Sequence, residues 1–247
     1  MLISFLFKKF EYGQNPIKLN SELIYPESKY GLTLYQSILI RHYNLLQTAQ
    51  INKLETVLDI GANNGYYSKL IRYMFPNAMI HAIEPIPKVY ECLRYTFSKD
   101  ELTNTHQLAI SNYTGTILMQ FDQNNTATSK IDLNGKISVQ STTLDDFIKS
   151  NNINNIDLLK IDVESHEYQV LEKANYTLSK THYLLLEITL ENNPNYTISS
   201  LLKLLSSNNF DYQLIGVINY PHISEGKVSM LDYLLENKKY ESKNIYC

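Results

Sequence analysis

Thr56-Val-Leu-Asp-Ile-Gly-Ala-Asn-Asn-Gly65 is a short apolar run that ends in a turn containing two glycines. An amphipathic stretch follows, with apolar side chains at the helical spacing of Tyr67, Leu70, Ile71 and Met74. Pro76 marks the end of that helix, because proline cannot donate the main-chain hydrogen bond that a further turn would need. The segment therefore predicts a strand, a tight turn and a helix in that order.

The same alternation of apolar runs and amphipathic stretches continues along the chain. Met79-Ile-His-Ala-Ile83 predicts a second strand, which closes on Glu84-Pro85. Further strands are predicted at residues 105–109, 156–161, 183–188, 210–217 and 228–235, with a further extended piece at residues 115–121. Helices are predicted around residues 89–97, after the N-cap signature Thr143-Leu-Asp-Asp146, around residues 167–174 and around residues 198–205. This order is typical of an α/β, Rossmann-like fold with a mostly parallel sheet of six or seven strands and helices on both faces.

The chain has 247 residues, of which 44% are hydrophobic, and this length suits one α/β domain. Residues 1–53 lack the alternating pattern, so we expect a short N-terminal helical cap on the substrate side of a main domain at residues 54–247. Tyr25, Tyr30 and Tyr35 are candidates to line a pocket there. The polar loop at residues 123–135 is a candidate lid over a site.

Composition and charge exclude several classes of function. The formal net charge is −3, so there is no excess of Lys and Arg for phosphates, and no nucleic-acid partner is expected. Two cysteines, Cys92 and Cys247, are too few for a disulfide framework or a zinc cluster. No apolar run approaches the roughly 20 residues of a transmembrane helix, and no export signal is recognisable. These features predict a cytoplasmic protein.

The turn after the first strand predicts a site for a nucleoside. Gly61 and Gly65 permit a tight turn and a close approach of the main chain to a ligand. Glu84 ends the next strand, and the carboxyl ends of parallel strands border the same crevice. A carboxylate in that position can accept both hydroxyl hydrogens of a ribose.

The glycine pattern separates two classes of cofactor. A dinucleotide site requires G-x-G-x-x-G to seat a pyrophosphate at the helix N-terminus. The same frame here contains Gly61, Asn63 and Tyr66, so only the first glycine is present. S-adenosylmethionine has no phosphate, and the looser turn favours it over a nicotinamide dinucleotide.

Five motifs, in this order, resemble those of FkbM-type methyltransferases. They are Asp59-Ile-Gly-Ala-Asn-Asn-Gly-Tyr-Tyr-Ser68, Glu84-Pro85, Ala109-Ile-Ser-Asn112 with Gly115, Thr143-Leu-Asp-Asp146 and Leu158-Leu-Lys-Ile-Asp-Val-Glu-Ser-His-Glu-Tyr168. The resemblance implies a class I methyltransferase fold and transfer of a methyl group from S-adenosylmethionine to a hydroxyl of a saccharide, a glycan or a polyketide-like small molecule. It also implies a cofactor site formed by Asp59, Gly61, Asn63, Gly65 and Glu84, with Glu84 on the ribose.

One position departs from the family pattern. The acidic motif usually reads D-x-E-G in the family, and this chain has Ser165 at the glycine position. A side chain there is expected to narrow the pocket or to disfavour a left-handed main chain. Since the cofactor motifs are intact, the departure bears on substrate specificity more than on methyl transfer.

The acids after the fourth predicted sheet strand are candidates for catalysis. A sulfonium methyl is already electrophilic, so the protein must hold the acceptor oxygen about 3 Å away and remove its proton. Asp162, Glu164 and His166 are the candidate catalytic residues, with His166 as first choice for the base because imidazole titrates near pH 6.5. A helix cap is the alternative role for His166. Glu167 is favoured in the first turn of a helix by the helix dipole alone.

Two points stay open from the sequence. Asp162, Glu164 and Glu187 could converge on Mg²⁺, but no ligand spacing demands a metal, and Glu187 could equally bind substrate hydroxyls. The alternative functions are a NAD-dependent sugar oxidoreductase or epimerase, and an S-adenosylmethionine-binding module that has lost turnover. A bound adenosine with sulfur attached, beside Gly61, would distinguish them.

Overall fold

The computed structural model describes residues 29–121, 129–189, 197–207, 210–220 and 230–240. Part of the predicted lid loop, residues 123–128, lies outside these ranges. Tyr25 also lies outside the described residues, as do the side chains of Tyr30 and Tyr35.

Seven helices and eleven strands occur in the described ranges. The helices are α1 (Lys29–Thr48), α2 (Tyr66–Met74), α3 (Pro87–Thr96), α4 (Leu144–Ser150), α5 (Glu167–Glu172), α6 (Asn175–Ser179) and α7 (Ile198–Ser207). The strands are β1 (Thr56–Ile60), β2 (Met79–Ile83), β3 (Thr103–His106), β4 (Ala109–Ile110), β5 (Gly115–Gln120), β6 (Lys130–Ile131), β7 (Ile137–Thr142), β8 (Ile156–Ile161), β9 (Thr181–Thr189), β10 (Tyr212–Tyr220) and β11 (Met230–Asn237).

The central sheet has seven strands in the order β10-β11-β9-β8-β1-β2-β3. The pairs from β9 to β3 are all parallel, whereas β11 runs antiparallel to both β9 and β10. The order of strands reverses between β1 and β8, so a crevice opens at the carboxyl ends of these two strands. A second sheet, in the order β4-β7-β5-β6, is inserted between β3 and α4.

The two faces of the central sheet are covered by different helices. Along β1, Val57 belongs to a core cluster with side chains of α1, α2 and α3, whereas Leu58 and Ile60 belong to a cluster with side chains of α4 to α7. Successive strand residues point to opposite faces, so the apolar run of β1 supplies both cores. The prediction of a mostly parallel sheet with helices on both faces is confirmed.

Several element boundaries differ from the predictions. The strand predicted at residues 105–109 is divided: β3 pairs with β2 in the central sheet, and Ala109–Ile110 leaves it to pair with β7. The helix predicted around residues 167–174 ends at Glu172, and a separate short helix, α6, follows from Asn175. The Thr143 cap is confirmed, because its side chain accepts a hydrogen bond from the N–H of Asp146.

The N-terminal segment is packed against the main domain. Leu39 and Leu46 of α1 are buried in the core cluster that contains Val57. Nε2 of His42 in the same helix lies 2.8 Å from Oδ2 of Asp232 on β11, and both side chains are buried. A boundary at residue 54 stays a prediction, and the described part of the segment shares its core with the sheet.

None of the helices in the described part of the chain has the length and apolar character needed to cross a membrane.

Candidate active site

Main-chain hydrogen bonds bring the ends of β1, β2 and β8 side by side. The N–H of Gly61 donates to the carbonyl of Ile83 at 3.0 Å, and the N–H of Asp162 donates to the carbonyl of Ile60 at 3.0 Å. The turn after β1 therefore lies between Glu84, at the end of β2, and the acidic loop after β8.

Both glycines of the turn are required by their surroundings. Gly61 has φ +78°, and a Cβ atom there would lie 1.8 Å from the carbonyl oxygen of Asp162. Gly65 has φ +86°, and a Cβ atom there would lie 2.6 Å from the ring of Phe97. Asn63 also adopts a left-handed conformation, which asparagine tolerates better than most residues. The turn is therefore a compact main-chain surface.

Glu84 is fixed against this turn. Its Oε2 atom accepts a hydrogen bond from the N–H of Asn63 at 3.1 Å, and its Oε1 atom accepts one from the N–H of Ile86 at 2.8 Å. Burial raises the pKa of Glu84 to about 7, and the charges of Asp162 and Asp59 add to this rise, whereas the two hydrogen bonds oppose it. Each carboxylate oxygen has a second lone pair, so ribose hydroxyls can bind Glu84 while it holds the turn.

Asp59 lies behind the turn. It is fully buried, and its Oδ2 atom accepts a 2.6 Å hydrogen bond from the hydroxyl of Ser68 on α2. Its Oδ1 atom lies 3.5 Å from the ammonium of Lys160. The role of Asp59 at the cofactor stays a prediction, and this geometry supports an indirect role through the position of α2.

The ammonium of Lys160 adds a positive charge to the site, which the sequence motifs did not predict. Its ammonium donates a 2.8 Å hydrogen bond to Oδ2 of Asp162 and lies 5.3 Å from the centre of the Tyr67 ring. Burial lowers the pKa of Lys160, but the carboxylates of Asp162 and Asp59 outweigh burial and hold the pKa above its ordinary value. The signal in the sequence was a lysine within an otherwise apolar strand, where an unpaired charge is costly.

Three acids form a cluster at the same edge of the sheet. One carboxylate oxygen each of Asp162, Glu164 and Glu187 lies within 4.8 Å of the other two. Burial raises the pKa of Glu164 to about 8, with the charges of Asp162 and Glu167 adding to it. Burial and the charge of Asp162 also raise the pKa of Glu187 well above its usual range. We call these three residues the acid cluster.

The loop that carries the acid cluster has an unusual main chain. Glu164 and Ser165 have φ values of +53° and +72°, both in the left-handed region. Ser165 therefore keeps the conformation that the family glycine favours, and its side chain is exposed. Oε1 of Glu167 accepts hydrogen bonds from the N–H groups of Val163 at 3.1 Å and Ser165 at 3.2 Å, so Glu167 holds the loop together.

His166 lies at the start of α5 without capping it by a side-chain hydrogen bond. Its Nε2 atom lies 2.9 Å from the hydroxyl of Ser111, which follows β4. Burial lowers the pKa of His166 to about 4, so its imidazole is neutral near pH 7. His166 is the partly exposed N-cap residue of α5, as the helix-cap alternative expects, although its side chain makes no capping hydrogen bond. A catalytic role for His166 stays a prediction.

Part of the predicted lid loop approaches the acid cluster. Residues 130–131 form β6, which pairs with β5. The positive charge of Lys130, an exposed residue of this strand, lowers the pKa of Glu164. A lid function stays a prediction.

Comparison with known proteins agrees with this geometry. The methyltransferase FkbM domain matches residues 59–213. The chain belongs to the FkbM methyltransferase family. The Gly61–Gly65 turn, Glu84 and the acid cluster all lie within the matched residues.

Individual FkbM relatives are distant. The 2-O-methyltransferase NoeI of Sinorhizobium fredii is 25% identical over 204 residues, which cover 74% of this chain and 79% of NoeI. The hexuronic acid methyltransferase AglP of Haloferax volcanii is 25% identical over 140 residues, covering 54% of this chain and 56% of AglP. The crystal structure of methyltransferase FkbM from Methylobacillus flagellatus superposes with a TM-score of 0.51 at 16% identity, covering 72% of this chain and 43% of that one. The latter similarity concerns the fold.

These comparisons confirm the predicted family, the class I methyltransferase fold and the class of enzyme, an S-adenosylmethionine-dependent methyltransferase. They decide against the NAD-dependent oxidoreductase alternative. The roles of individual site residues stay predictions.

Proposed function

We propose that this FkbM enzyme transfers the methyl group of S-adenosylmethionine to a hydroxyl oxygen of a saccharide or glycan. The acid cluster, at the edge of the sheet that also holds the Gly61 turn, is the observation that supports this acceptor. Carboxylates accept hydrogen bonds from hydroxyl groups, and a protonated Glu164 can donate one as well. The names of NoeI and AglP, a 2-O-methyltransferase and a hexuronic acid methyltransferase, support the same class.

The turn and Glu84 are proposed to hold the cofactor. The compact main chain at Gly61, Asn63 and Gly65 lets the nucleoside approach closely, and the Glu84 carboxylate binds the ribose hydroxyls. The bound cofactor supplies an electrophilic methyl group on a positively charged sulfur. Asp162, Glu164 and Glu187 place three carboxyl groups at the same edge of the sheet.

Asp162 is the proposed proton acceptor. The acceptor oxygen forms a bond to the methyl carbon while the bond between that carbon and sulfur breaks. The electron pair of the broken bond stays on sulfur. The hydroxyl proton passes to the Asp162 carboxylate. Asp162 lies in the crevice loop beside the Gly61 turn, and its Oδ2 atom accepts a 2.8 Å hydrogen bond from the ammonium of Lys160. Glu164 and Glu187 then bind neighbouring hydroxyls of the acceptor.

His166 fits the role of base less well. Its Nε2 atom lies 2.9 Å from the hydroxyl of Ser111, so this ring nitrogen already has a partner. We therefore propose that His166 orders the loop after β4, and that Asp162 removes the proton.

The acid cluster also has the oxygen donors that Mg²⁺ prefers. A cation there would orient the acceptor hydroxyl and make it more acidic. Titration of the protein with MgCl₂ in a calorimeter, with and without S-adenosylhomocysteine, tests this use. Activity that survives EDTA treatment would remove the metal from the proposal.

The acceptor class is tested with defined compounds. The purified protein is incubated with radiolabelled S-adenosylmethionine and a panel of p-nitrophenyl glycosides, including neutral hexosides and a glucuronide, with a polyketide-like macrolide as the second acceptor class. We expect label in at least one glycoside and formation of S-adenosylhomocysteine in equal amount. Tight binding of S-adenosylhomocysteine with no label in any acceptor would contradict the proposal and favour a binding module without turnover. A cytoplasmic location stays a prediction.

A further inference from the structure

A buried lysine joins the two halves of the crevice. Lys160 and Asp59 are register partners on the adjacent parallel strands β8 and β1, so their side chains leave the sheet on the same face. The side chain of Lys160 is 8% exposed, and its neighbours on this face include Tyr67 and the core residues Leu158 and Leu185. A charge in such surroundings is stable only when it is paired.

Lys160 is paired with two carboxylates that have different environments. Asp59 is fully buried behind the turn, and its Oδ1 atom is 3.5 Å from the ammonium. Asp162 is 24% exposed in the crevice loop, and its Oδ2 atom is 2.8 Å from the same ammonium. The shorter contact is therefore made to the carboxylate that faces the crevice. A lysine that only neutralised Asp59 would not need this second contact.

The remaining contacts of Asp162 leave Lys160 as its main side-chain restraint. The N–H of Asp162 is bonded to the carbonyl of Ile60 at the end of β1, which fixes the main chain. The hydrogen bond from Lys160 then fixes the Oδ2 atom. Because both oxygens belong to one carboxylate, this bond also fixes the position of Oδ1. Lys160 also reduces the repulsion within the acid cluster, because its charge opposes the rise in the pKa of Glu164 and Glu187.

We infer that Lys160 is a positioning residue of the active site: its ammonium holds the Asp162 carboxylate in the orientation that receives the acceptor hydroxyl, and couples that orientation to the cofactor turn through Asp59. This inference rests on the proposed role of Asp162. Lys160 itself touches neither the acceptor nor the reacting atoms.

The first test replaces the charge and keeps the apolar stem, in Lys160→Met. A crystal structure of this variant with S-adenosylhomocysteine is expected to show the Asp162 carboxylate in a different rotamer, with the cofactor turn in place. Affinity for S-adenosylhomocysteine, measured by calorimetry, is expected to stay within about threefold, well below the tenfold that corresponds to 1.4 kcal/mol. An Asp162 carboxylate that keeps its position would overturn the inference, whatever the acceptor is.

The second test measures turnover on a glycoside that the parent methylates. We expect kcat of Lys160→Met to fall by about 10²-fold, the usual effect of misplacing a catalytic group by about 1 Å, with KM for the glycoside changed much less. Lys160→Arg keeps the charge and is expected to recover part of kcat. Absence of any methylated glycoside in the parent would contradict the proposed function, while the crystal structure still decides the role of Lys160.

Matched variants separate positioning from stability. Like Lys160, Arg72 is paired with a carboxylate: it forms a 2.8 Å ion pair with Asp100. Arg72 is half-buried and lies away from the acid cluster. Arg72→Met is expected to lower stability and leave kcat per folded molecule unchanged. If Lys160→Met does not fold, Asp59→Asn combined with Lys160→Met removes the buried pair while keeping its shape, and the same structural measurement is made on that protein. A kcat equal to that of Arg72→Met would show that Lys160 is structural only.

Discussion

The two sides of the crevice are built by different physical means. On the side of β1 and β2, the turn is shaped by main-chain hydrogen bonds and by contacts so close that a Cβ atom at Gly61 would lie 1.8 Å from a neighbouring oxygen. On the side of β8 and β9, the acid cluster collects three carboxylates within 4.8 Å and balances them with Lys160. The first side depends on shape and the second on charge.

This difference predicts different responses to mutation. A change in the shape of the turn is expected to affect folding and cofactor binding together. The main-chain atoms that form the turn are also the atoms proposed to contact the cofactor. Loss of charge at the acid cluster is expected to affect turnover, because the cofactor turn does not depend on those side chains. Each experiment below tests this separation.

The largest effect is expected for Asp162→Asn, which removes the proposed proton acceptor and keeps the shape of the side chain. We expect methyl transfer to fall by roughly 10²–10⁴-fold, the usual scale for a positioned base, with little change in affinity for S-adenosylhomocysteine. Initial rates with a labelled donor measure this loss.

His166→Ala serves as the comparison for Asp162→Asn. Since Nε2 of His166 is engaged with Ser111, we expect turnover within about tenfold of the parent, below the scale for a general base. A loss of 10³-fold in His166→Ala, together with a small loss in Asp162→Asn, would reverse the two assignments.

Gly61→Ala tests the shape of the turn. The added Cβ atom meets the carbonyl oxygen of Asp162 in a left-handed conformation, so we expect the free energy of unfolding to fall by about 3–5 kcal/mol. Urea unfolding measures it. Gly216→Ala is the control, because the added atom there meets only the end of the Leu45 side chain, which can move. Equal losses in the two variants would show that the turn is not under special constraint.

Glu84→Ala tests the proposed contact between Glu84 and the ribose. Loss of charge-assisted hydrogen bonds to two hydroxyls is expected to weaken binding of S-adenosylhomocysteine by about 1–3 kcal/mol. Calorimetry measures the affinity, and NAD is expected not to bind either protein. Glu91→Ala, an exposed glutamate of α3, should leave the affinity unchanged. An unchanged affinity in folded Glu84→Ala would remove Glu84 from the cofactor site.

The pH dependence of stability tests whether burial raises the pKa of the buried glutamates. Burial raises the pKa of Glu84 and of Glu167 from 4.5 to about 7, so the folded protein retains protons that the unfolded chain has lost. Their stabilisation is present below about pH 4.5 and is lost as the pH rises through 7. Between pH 6.5 and 8 we expect these two residues to lower the free energy of unfolding by about 1–2 kcal/mol, and Glu164, with a pKa of about 8, adds to the fall in the same range.

Two histidines have the opposite effect in a different pH range. Burial lowers the pKa of His81 and of His166 to about 4, so their contribution is present above about pH 6.5 and is lost as the pH falls through 4. The decrease above pH 6.5 is therefore assigned to the glutamates, and the variant with Glu84→Gln and Glu167→Gln is expected to show a flatter profile. A free energy of unfolding that rises from pH 6.5 to 8 would contradict this assignment.

The smallest effect is expected for Ser165→Gly. Ser165 has φ +72°, where a residue with a Cβ atom is strained by about 1–2 kcal/mol. Glycine relieves this strain, but its greater conformational freedom in the unfolded chain offsets part of the stabilisation. We expect the free energy of unfolding to rise by about 0.5–1 kcal/mol, measured by urea unfolding. Ser165→Ala keeps the Cβ atom and should give no such gain.

Features encoded within a short stretch of chain could be predicted from the sequence. The order of strands and helices follows from the spacing of apolar residues, and the Thr143 cap from four consecutive residues. The divided strand at residues 103–110 could not be predicted, because its second half pairs with β7, about thirty residues further along the chain. The end of α5 at Glu172 and the separate helix α6 could not be predicted either, since the apolar spacing of Val170, Leu171 and Ala174 continues past Glu172.

The sequence by itself determined the α/β fold, the glycine turn, the acid that ends β2 and the family, because each of these is written in the local order of residue types. Tertiary structure decided which charges meet. Lys160 faces Asp59 only because β8 is paired with β1 in one register, and Glu187 joins Asp162 only because β9 lies beside β8. Such contacts depend on strand pairing between distant segments, where a shift of one residue would turn each side chain to the other face of the sheet.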